Sequence, residues 1–218
     1  MIPQPRGWLS RVAEIARTNQ AQLIADEVMT GFGRTGSMFA CEQEKVVPDY
    51  LCLAKGLTGG YLPMAATLTT QRVFDAFVGE YSETFFHGHS YTGNQLGSAA
   101  ALANLKILES PESIRKRTEL ERLLKIELQT LWQLPVVGDI RQVGLIAGIE
   151  LAKNWKTREP FDLRDRAGIH VCEALARRGV LSRPIGNVIV LMPPYCTTSK
   201  QTHKMVSALG AAIHEVFK

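Results

Sequence analysis

Two short apolar runs near the start of this chain each end on a charge. Leu23-Ile24-Ala25 stops at Asp26-Glu27, and Tyr50-Leu51-Cys52-Leu53-Ala54 stops at Lys55. Short runs without polar alternation are expected of strands buried on both faces, as in a parallel sheet covered by helices. In open α/β sheets, ligands gather at the carboxyl ends of the strands. Asp26 and Lys55 are therefore the first candidates for chemistry. Burying a carboxylate and an amine is costly unless the two are paired or used. The plain alternatives are a structural Asp26–Lys55 ion pair, or a lysine that simply leaves the core. The two residues alone leave both readings open.

The texture of the remaining chain predicts α/β organisation in two blocks. Before the first run, Trp8 to Thr18 is expected to be helical. Ser37 to Lys45 predicts a short helix stopped before Pro48, Met64 to Thr69 a third strand, and Gln71 to Val78 another helix. Thr84 to Asn94 is a polar, glycine-punctuated loop leading into a small-residue helix over Gln95 to Glu109. Pro111 suits the first turn of a long helix reaching about Leu131, with Leu120, Leu123, Leu124 and Leu128 at helical spacing. Beyond Pro135, strands are expected at Val136-Val137, Arg141 to Val143, Leu145 to Leu151, Val180 to Ser182 and Asn187 to Leu191. A helix over Leu163 to Arg178 ends at Gly179, and Ser199 is expected to cap a last helix to Phe217. A boundary near residue 110 would divide an incomplete, mostly parallel domain (1–110) from a smaller α/β domain (111–218).

Charge narrows the partners. Lys and Arg number 25 against 21 Asp and Glu, a formal net charge of +4. No basic run is dense enough for nucleic acid; Arg115-Lys116-Arg117 and Arg177-Arg178 read as solvated helix faces. A few placed cations suit an anionic small ligand better. Cys41, Cys52, Cys172 and Cys196 form no CxxC pair and read as reduced packing residues of a cytosolic protein. No apolar run approaches membrane-spanning length, and the start carries no signal-like segment, so a soluble, cytoplasmic protein is expected.

The literal pattern G-x-G-x-x-G stands at Gly31, Gly33 and Gly36, which invites a dinucleotide-binding reading. Context argues against it. That fingerprint needs a substantial helix opening on the last glycine, and here a short polar stretch leads to Pro48. It also needs an acid after the second strand, where Lys55 stands. A pyridoxal cofactor would instead use Asp26 and Lys55 together. The amine condenses with the aldehyde as a Schiff base, and the carboxylate keeps the pyridine nitrogen protonated so that the ring accepts electrons. The freed lysine then moves a proton between substrate and cofactor, which burial of a neutral amine favours.

At this point the residues resemble a known family. Leu23-Ile24-Ala25-Asp26-Glu27-Val28, Gly31-Phe32-Gly33-Arg34-Thr35-Gly36 and Ala54-Lys55-Gly56-Leu57-Thr58-Gly59-Gly60 stand in the order seen in class III aminotransferases. The resemblance continues through Phe86-His87-Gly88-His89-Ser90-Tyr91-Thr92-Gly93-Asn94-Gln95, Ser182-Arg183-Pro184-Ile185-Gly186 and Val190-Leu191-Met192-Pro193-Pro194. It implies the fold-type I architecture of pyridoxal 5'-phosphate enzymes and a homodimer with shared sites. By resemblance, Asp26 pairs with the pyridine nitrogen, Val28 packs on the ring face and Lys55 holds the cofactor. His89 and Ser90 reach the cofactor phosphate of the partner subunit, Gly88 leaves room for substrate, and Arg183 grips a substrate carboxylate with its planar fork. Read without the family, His87 and His89 form an H-x-H that lacks a third zinc ligand nearby. Arg183 would by default be a surface ion pair, and Met192-Pro193-Pro194 a rigid strand exit.

Within the family, the His87–Asn94 and Arg183–Pro194 segments are most similar to the biotin-synthesis branch. That branch converts 8-amino-7-oxononanoate to the 7,8-diamine with S-adenosylmethionine, or in some lines lysine, as amino donor. Family members are longer than this chain. The resemblance implies a missing amino-terminal half that carries part of the phosphate cup, an aromatic residue stacked on the cofactor and further strands. Apolar sheet edges are then expected to be exposed here, and activity of the chain alone is in question. Two other readings stay open: a class III enzyme acting on an ω-amino acid or diamine, and a non-catalytic remnant that folds with a longer partner.

Overall fold

The structure is a computed structural model that describes residues 1–218. It divides into two compact units, Gln4–Ile114 and Arg115–Lys218, the latter joined by Met1–Pro3.

In the first unit, helix α1 (Trp8–Thr18) precedes three strands, β1 (Ile24–Asp26), β2 (Tyr50–Leu53) and β3 (Ala66–Thr69). The sheet is mixed. β1 and β2 run parallel, with Asp26 opposite Cys52, while β3 lies antiparallel to β2. The expectation that β1 is buried on both faces is overturned. Ile24 is 64% exposed and Asp26 is exposed, and β1 is an edge strand of the order β1-β2-β3. Leu68 on β3 is likewise exposed. α1 begins at Gly7, which has no side chain to cap it, so a distant carboxylate does the work. Glu44 accepts the backbone N–H of Gly7 at 2.8 Å and of Ser10 at 2.7 Å.

Between the strands, the expected helix over Ser37 to Lys45 shrinks to one 3-10 turn, Ala40–Glu44. Helix α2 (Gln71–Asp75) is shorter than its pattern suggested, ending in turns before Val78. Helix α3 (Gln95–Glu109) starts where Asn94 accepts the N–H of Gly97 at 2.7 Å. Its buried positions Gly97, Ala101 and Leu108 share one face.

Helix α4 (Pro111–Leu128) buries Leu120, Leu124 and Leu128. It also buries Arg117, which corrects the reading of that residue as part of a solvated face. Positions 117, 120, 124 and 128 lie at helical spacing, so the register carries the arginine inward with the leucines. The cost is met by stacking: the Arg117 guanidinium lies 5.6 Å from the Tyr195 ring centroid. Burial lowers its pKa from the ordinary arginine value. Arg177 and Arg178, by contrast, stay toward solvent, each paired with Glu215.

The second unit is a five-stranded antiparallel sheet. The segments expected as separate strands before Val143 merge into one, β4 (Val137–Val143), which forms a hairpin with β5 (Ile146–Asn154) through Gly144. β6 (Glu159–Pro160) pairs with β5. Helix α5 (Ala167–Arg177) follows a separate turn at Leu163–Asp165, since Arg166 adopts a left-handed φ of 51° that breaks the expected single helix. β7 (Arg183–Ile185) replaces the strand expected at Val180 to Ser182, and β8 (Val188–Leu191) completes the order β4-β5-β8-β7. Helix α6 (Ser199–Val216) is capped by Thr198 rather than Ser199. The hydroxyl of Thr198 accepts from Gln201 N, and Gln201 answers by accepting from Thr198 N at 2.8 Å.

Register explains the core. Ala147, Ile149 and Leu151 alternate along β5, and Ile149 faces Ile189 while Ala147 faces Leu191 on β8. All lie on one face and are almost fully buried with Leu124, Leu128, Val171, Leu175, Val206, Leu209 and Ile213 from the helices. Each of these Leu, Ile and Val side chains contributes about 1.5–3 kcal/mol by leaving water. No helix of the chain is long and apolar enough to cross a membrane.

Candidate functional site

Parallel pairing of β1 with β2 sets both candidate residues at the carboxyl end of the same sheet. Asp26 is the last residue of β1, and Lys55 follows β2 by two residues. They form no ion pair. Asp26 Oδ1 accepts the N–H of Val28 at 3.0 Å, a local bond that fixes the carboxylate at the sheet end and leaves Oδ2 for a ligand. Neither side chain is buried as expected; both are exposed in this chain. Val28 is half-buried.

Lys55 opens a single 3-10 turn, Lys55–Leu57, with φ of 42°. A left-handed conformation is uncommon and strained for a residue with a side chain, and such strain clusters at functional sites. The surrounding structure holds the turn in place. A Cβ on Gly56 would stand 2.9 Å from Phe32, a fully buried ring, so only glycine fits there. Thr58 is buried and donates its hydroxyl to the Leu62 carbonyl at 2.6 Å.

The glycine loop after β1 therefore acts as a brace. Its Gly31-x-Gly33 segment carries Phe32 inward, and it leads to a 3-10 turn rather than the long helix a dinucleotide fingerprint requires. The residue that organises the loop, Glu27, escaped the sequence reading. It is 3% exposed, accepts from Cys41 N at 2.8 Å and from the Thr30 hydroxyl, and its own N–H donates to Cys52 O at 3.0 Å. Next to an obvious charge at a strand end, a second carboxylate gave no signal of being turned inward.

Gly88, His89 and Ser90 lie in the exposed segment before α3. A turn made by its own residues shapes it: Thr92 Oγ1 accepts from His89 N at 3.1 Å, and Thr92 N donates to His89 O at 2.9 Å. His89 Nδ1 accepts from Tyr91 N at 3.1 Å. The space beside Gly88 is open, with Thr92 the only neighbour near a notional Cβ. Arg183 is exposed on β7 in the other unit, paired in register with Val190. Its strand is seated by α5, where a Cβ on Gly168 would fall 2.7 Å from Pro184. Of the four cysteines, Cys196 is exposed and corrects the reading of all four as packing residues.

The site elements of the first unit thus comprise a fixed carboxylate and a strained lysine at one sheet end, with a separate polar turn carrying an imidazole. A carboxylate can hold a proton on a ring nitrogen, and a lysine amine can bond a carbonyl carbon.

The family model described as aminotransferase class-III matches residues 1–213. Among similar proteins, the adenosylmethionine-8-amino-7-oxononanoate aminotransferase of Geobacter sulfurreducens is 49% identical over 218 residues, covering 99% of this chain and 48% of that protein. The crystal structure of the enzyme of the same name from Methanocaldococcus jannaschii superimposes with a TM-score of 0.94 at 48% identity, covering 99% of this chain and 50% of that one. An amine transaminase from an uncultivated Pseudomonas species, solved in a PLP-bound form, matches with a TM-score of 0.92 at 40% identity, covering 98% of this chain and 49% of that one. The chain spans about half the length of the curated relatives it matches. The α/β architecture is that of fold-type I transaminases.

Proposed function

We propose, from the premise that this chain belongs to the class-III aminotransferases, that it is the carboxyl-terminal half of a transaminase of biotin synthesis. Its reaction is the conversion of 8-amino-7-oxononanoate to 7,8-diaminononanoate, and its relatives' names favour S-adenosylmethionine as amino donor. The observation that carries the reading is the β1–β2 ladder, which brings Asp26 and Lys55 to one sheet end.

The chain's donor set fits pyridoxal 5'-phosphate: a carboxylate with one oxygen tied to Val28 N, and a lysine on a braced turn. When bound, that cofactor supplies an aldehyde for amine exchange and a ring that accepts electrons. Lys55 Nζ would be the atom that holds it and, when free, the amine that would move a proton at the substrate carbon. Asp26 would hold a proton at the ring nitrogen, and Val28 would lie against the ring. His89 and Ser90 would serve the phosphate of the partner subunit's cofactor in a homodimer, Gly88 would leave room for substrate, and Arg183 would bind the substrate carboxylate. Residues 1–110 act as part of a large cofactor-binding domain and 111–218 as a small domain, in the cytoplasm.

Trapping tests the cofactor role: pyridoxal phosphate is added to the chain, borohydride reduces the product, and peptide mapping locates the label. A label on Lys55, lost in Lys55→Ala, is expected; its absence from the wild-type chain would sink the reading. Substrate is tested by co-expressing the chain with the amino-terminal half of the Geobacter relative. Amino transfer to 8-amino-7-oxononanoate should exceed transfer to ω-amino acid or diamine partners. The reverse order would move the chain to another branch of the family.

A further inference from the structure

We propose that Asn104 is a positioning residue for Lys55, an inference that rests on the reading of Lys55 as the cofactor lysine. Asn104 lies in the third turn of α3, remote in sequence from the lysine. Its Nδ2 donates to the carbonyl of Gly56 at 2.6 Å and to that of Leu57 at 3.1 Å. These carbonyls belong to the two residues that follow Lys55 in its 3-10 turn.

The turn needs such a partner. Leu57 N donates to Ala54 O at 2.9 Å and Gly59 N reaches Gly56 O only at 3.4 Å, and isolated 3-10 turns have poor hydrogen-bond geometry. Its first residue holds a strained φ of 42°, which tends to relax unless neighbouring contacts over-determine it. Leu57 and Thr58 are buried, so a Leu57 carbonyl left unpaired beside them would be costly, while the Gly56 carbonyl has in addition only a long bond from Gly59 N at 3.4 Å. The Asn104 carboxamide reaches both carbonyls.

Asn104 is also a poor choice for a helix interior, where its side chain competes with the backbone. The fold makes room for it. Gly59, at φ of 63°, has no Cβ, and a Cβ there would stand 3.1 Å from Asn104 Oδ1. The lysine's turn is thus held at two points, by Phe32 against Gly56 and by Asn104 at the carbonyls. Asn104 touches neither substrate nor cofactor; it acts by keeping the Lys55 backbone in the conformation that aims Nζ from the sheet end.

The isosteric variant Asn104→Asp keeps the shape and loses both donors. The chain and its variants are treated with pyridoxal phosphate and borohydride, and the rate of labelling at Lys55 relative to the other lysines is followed against pH. Asn104→Asp should label Lys55 about tenfold more slowly, the scale of losing buried hydrogen bonds, with a displaced pH profile. Leu108→Ala, a buried residue on the same helix, supplies the structural control. It should lower the melting temperature while leaving the Lys55 preference in place. Equal labelling in wild type and Asn104→Asp would overturn the proposal alone, as would an equal loss in Leu108→Ala at matched stability. A wild-type chain whose Lys55 is not preferred would overturn the cofactor reading and this proposal with it.

Discussion

Glu27 Oε1 accepts the backbone N–H of Cys41 at 2.8 Å, across fourteen residues of sequence and inside the core of the first unit. The bond ties the end of β1 to the turn beyond the glycine loop. Glu27 thereby sets the path of the chain between Asp26 and Val28. Replacing it with alanine removes the acceptor of Cys41 N and of the Thr30 hydroxyl, and leaves a cavity. Glu27→Ala should lose about 2–4 kcal/mol of stability in urea unfolding, with Glu27→Gln less affected. A loss below measurement error would refute this role.

The same carboxylate bears on Cys41. Burial first, and the Glu27 charge second, push its thiol up to about 11, and burial alone pushes the Cys172 thiol to about 11. Below that range both stay protonated and poorly nucleophilic. At about pH 8.5, where an ordinary thiol is half ionised, alkylation of the native chain should therefore mark the exposed Cys196 first. Mass mapping that found Cys41 or Cys172 labelled as fast as Cys196 would contradict it.

Glu44 caps α1 from a distance, and its pKa is lowered chiefly by the Ser10 N–H, with the Ser10 hydroxyl and Gly7 N–H adding to the effect. A carboxyl with a depressed folded pKa contributes stability that is present above its unfolded pKa. That stability is lost as pH falls through the folded value. Amide exchange at Gly7 and Ser10 should accelerate selectively below the ordinary Glu range. In Glu44→Gln the exchange should be fast already at neutral pH and should lose this acid dependence.

Two glycines without special backbone conformation are predicted to be irreplaceable by alanine. Gly56→Ala would drive a methyl to 2.9 Å from Phe32 beneath the Lys55 turn. Gly168→Ala would press on Pro184 and the Gly186 carbonyl beneath the Arg183 strand. Each should cost about 1–3 kcal/mol by overpacking, read as a lowered denaturation midpoint. Gly88→Ala, whose surroundings are open, should be neutral to stability. If all three were equally tolerated, the packing argument would fail.

Much of the fold was legible from the residues. α1 and α3 fall on the ranges expected of them, and β2 and β8 lie within the expected runs. The misplaced elements have local causes. Arg166 at left-handed φ divided one helix into two pieces, and β4 pairs with β5 on both sides of the Gly138-Asp139 break between two supposed strands, with a register shift between Val137 and Asp139. The inward register of Arg117 had no signature in a run of three cations, because the Tyr195 ring that its guanidinium meets lies far along the chain.

By itself, then, the sequence determined the chemical types at the site and their order. Asp26 and Lys55 end apolar runs, and glycines stand where side chains would collide. Tertiary structure decided what those residues do to one another. Strand pairing brought 26 and 55 to one end without an ion pair, and long-range packing chose Glu27 as the buried acid. Asn104, from a helix far along the chain, became the partner of the lysine's turn. Hydrogen bonds and steric contacts between distant residues depend on where the whole chain places them, and no local pattern of charge or periodicity encodes that position.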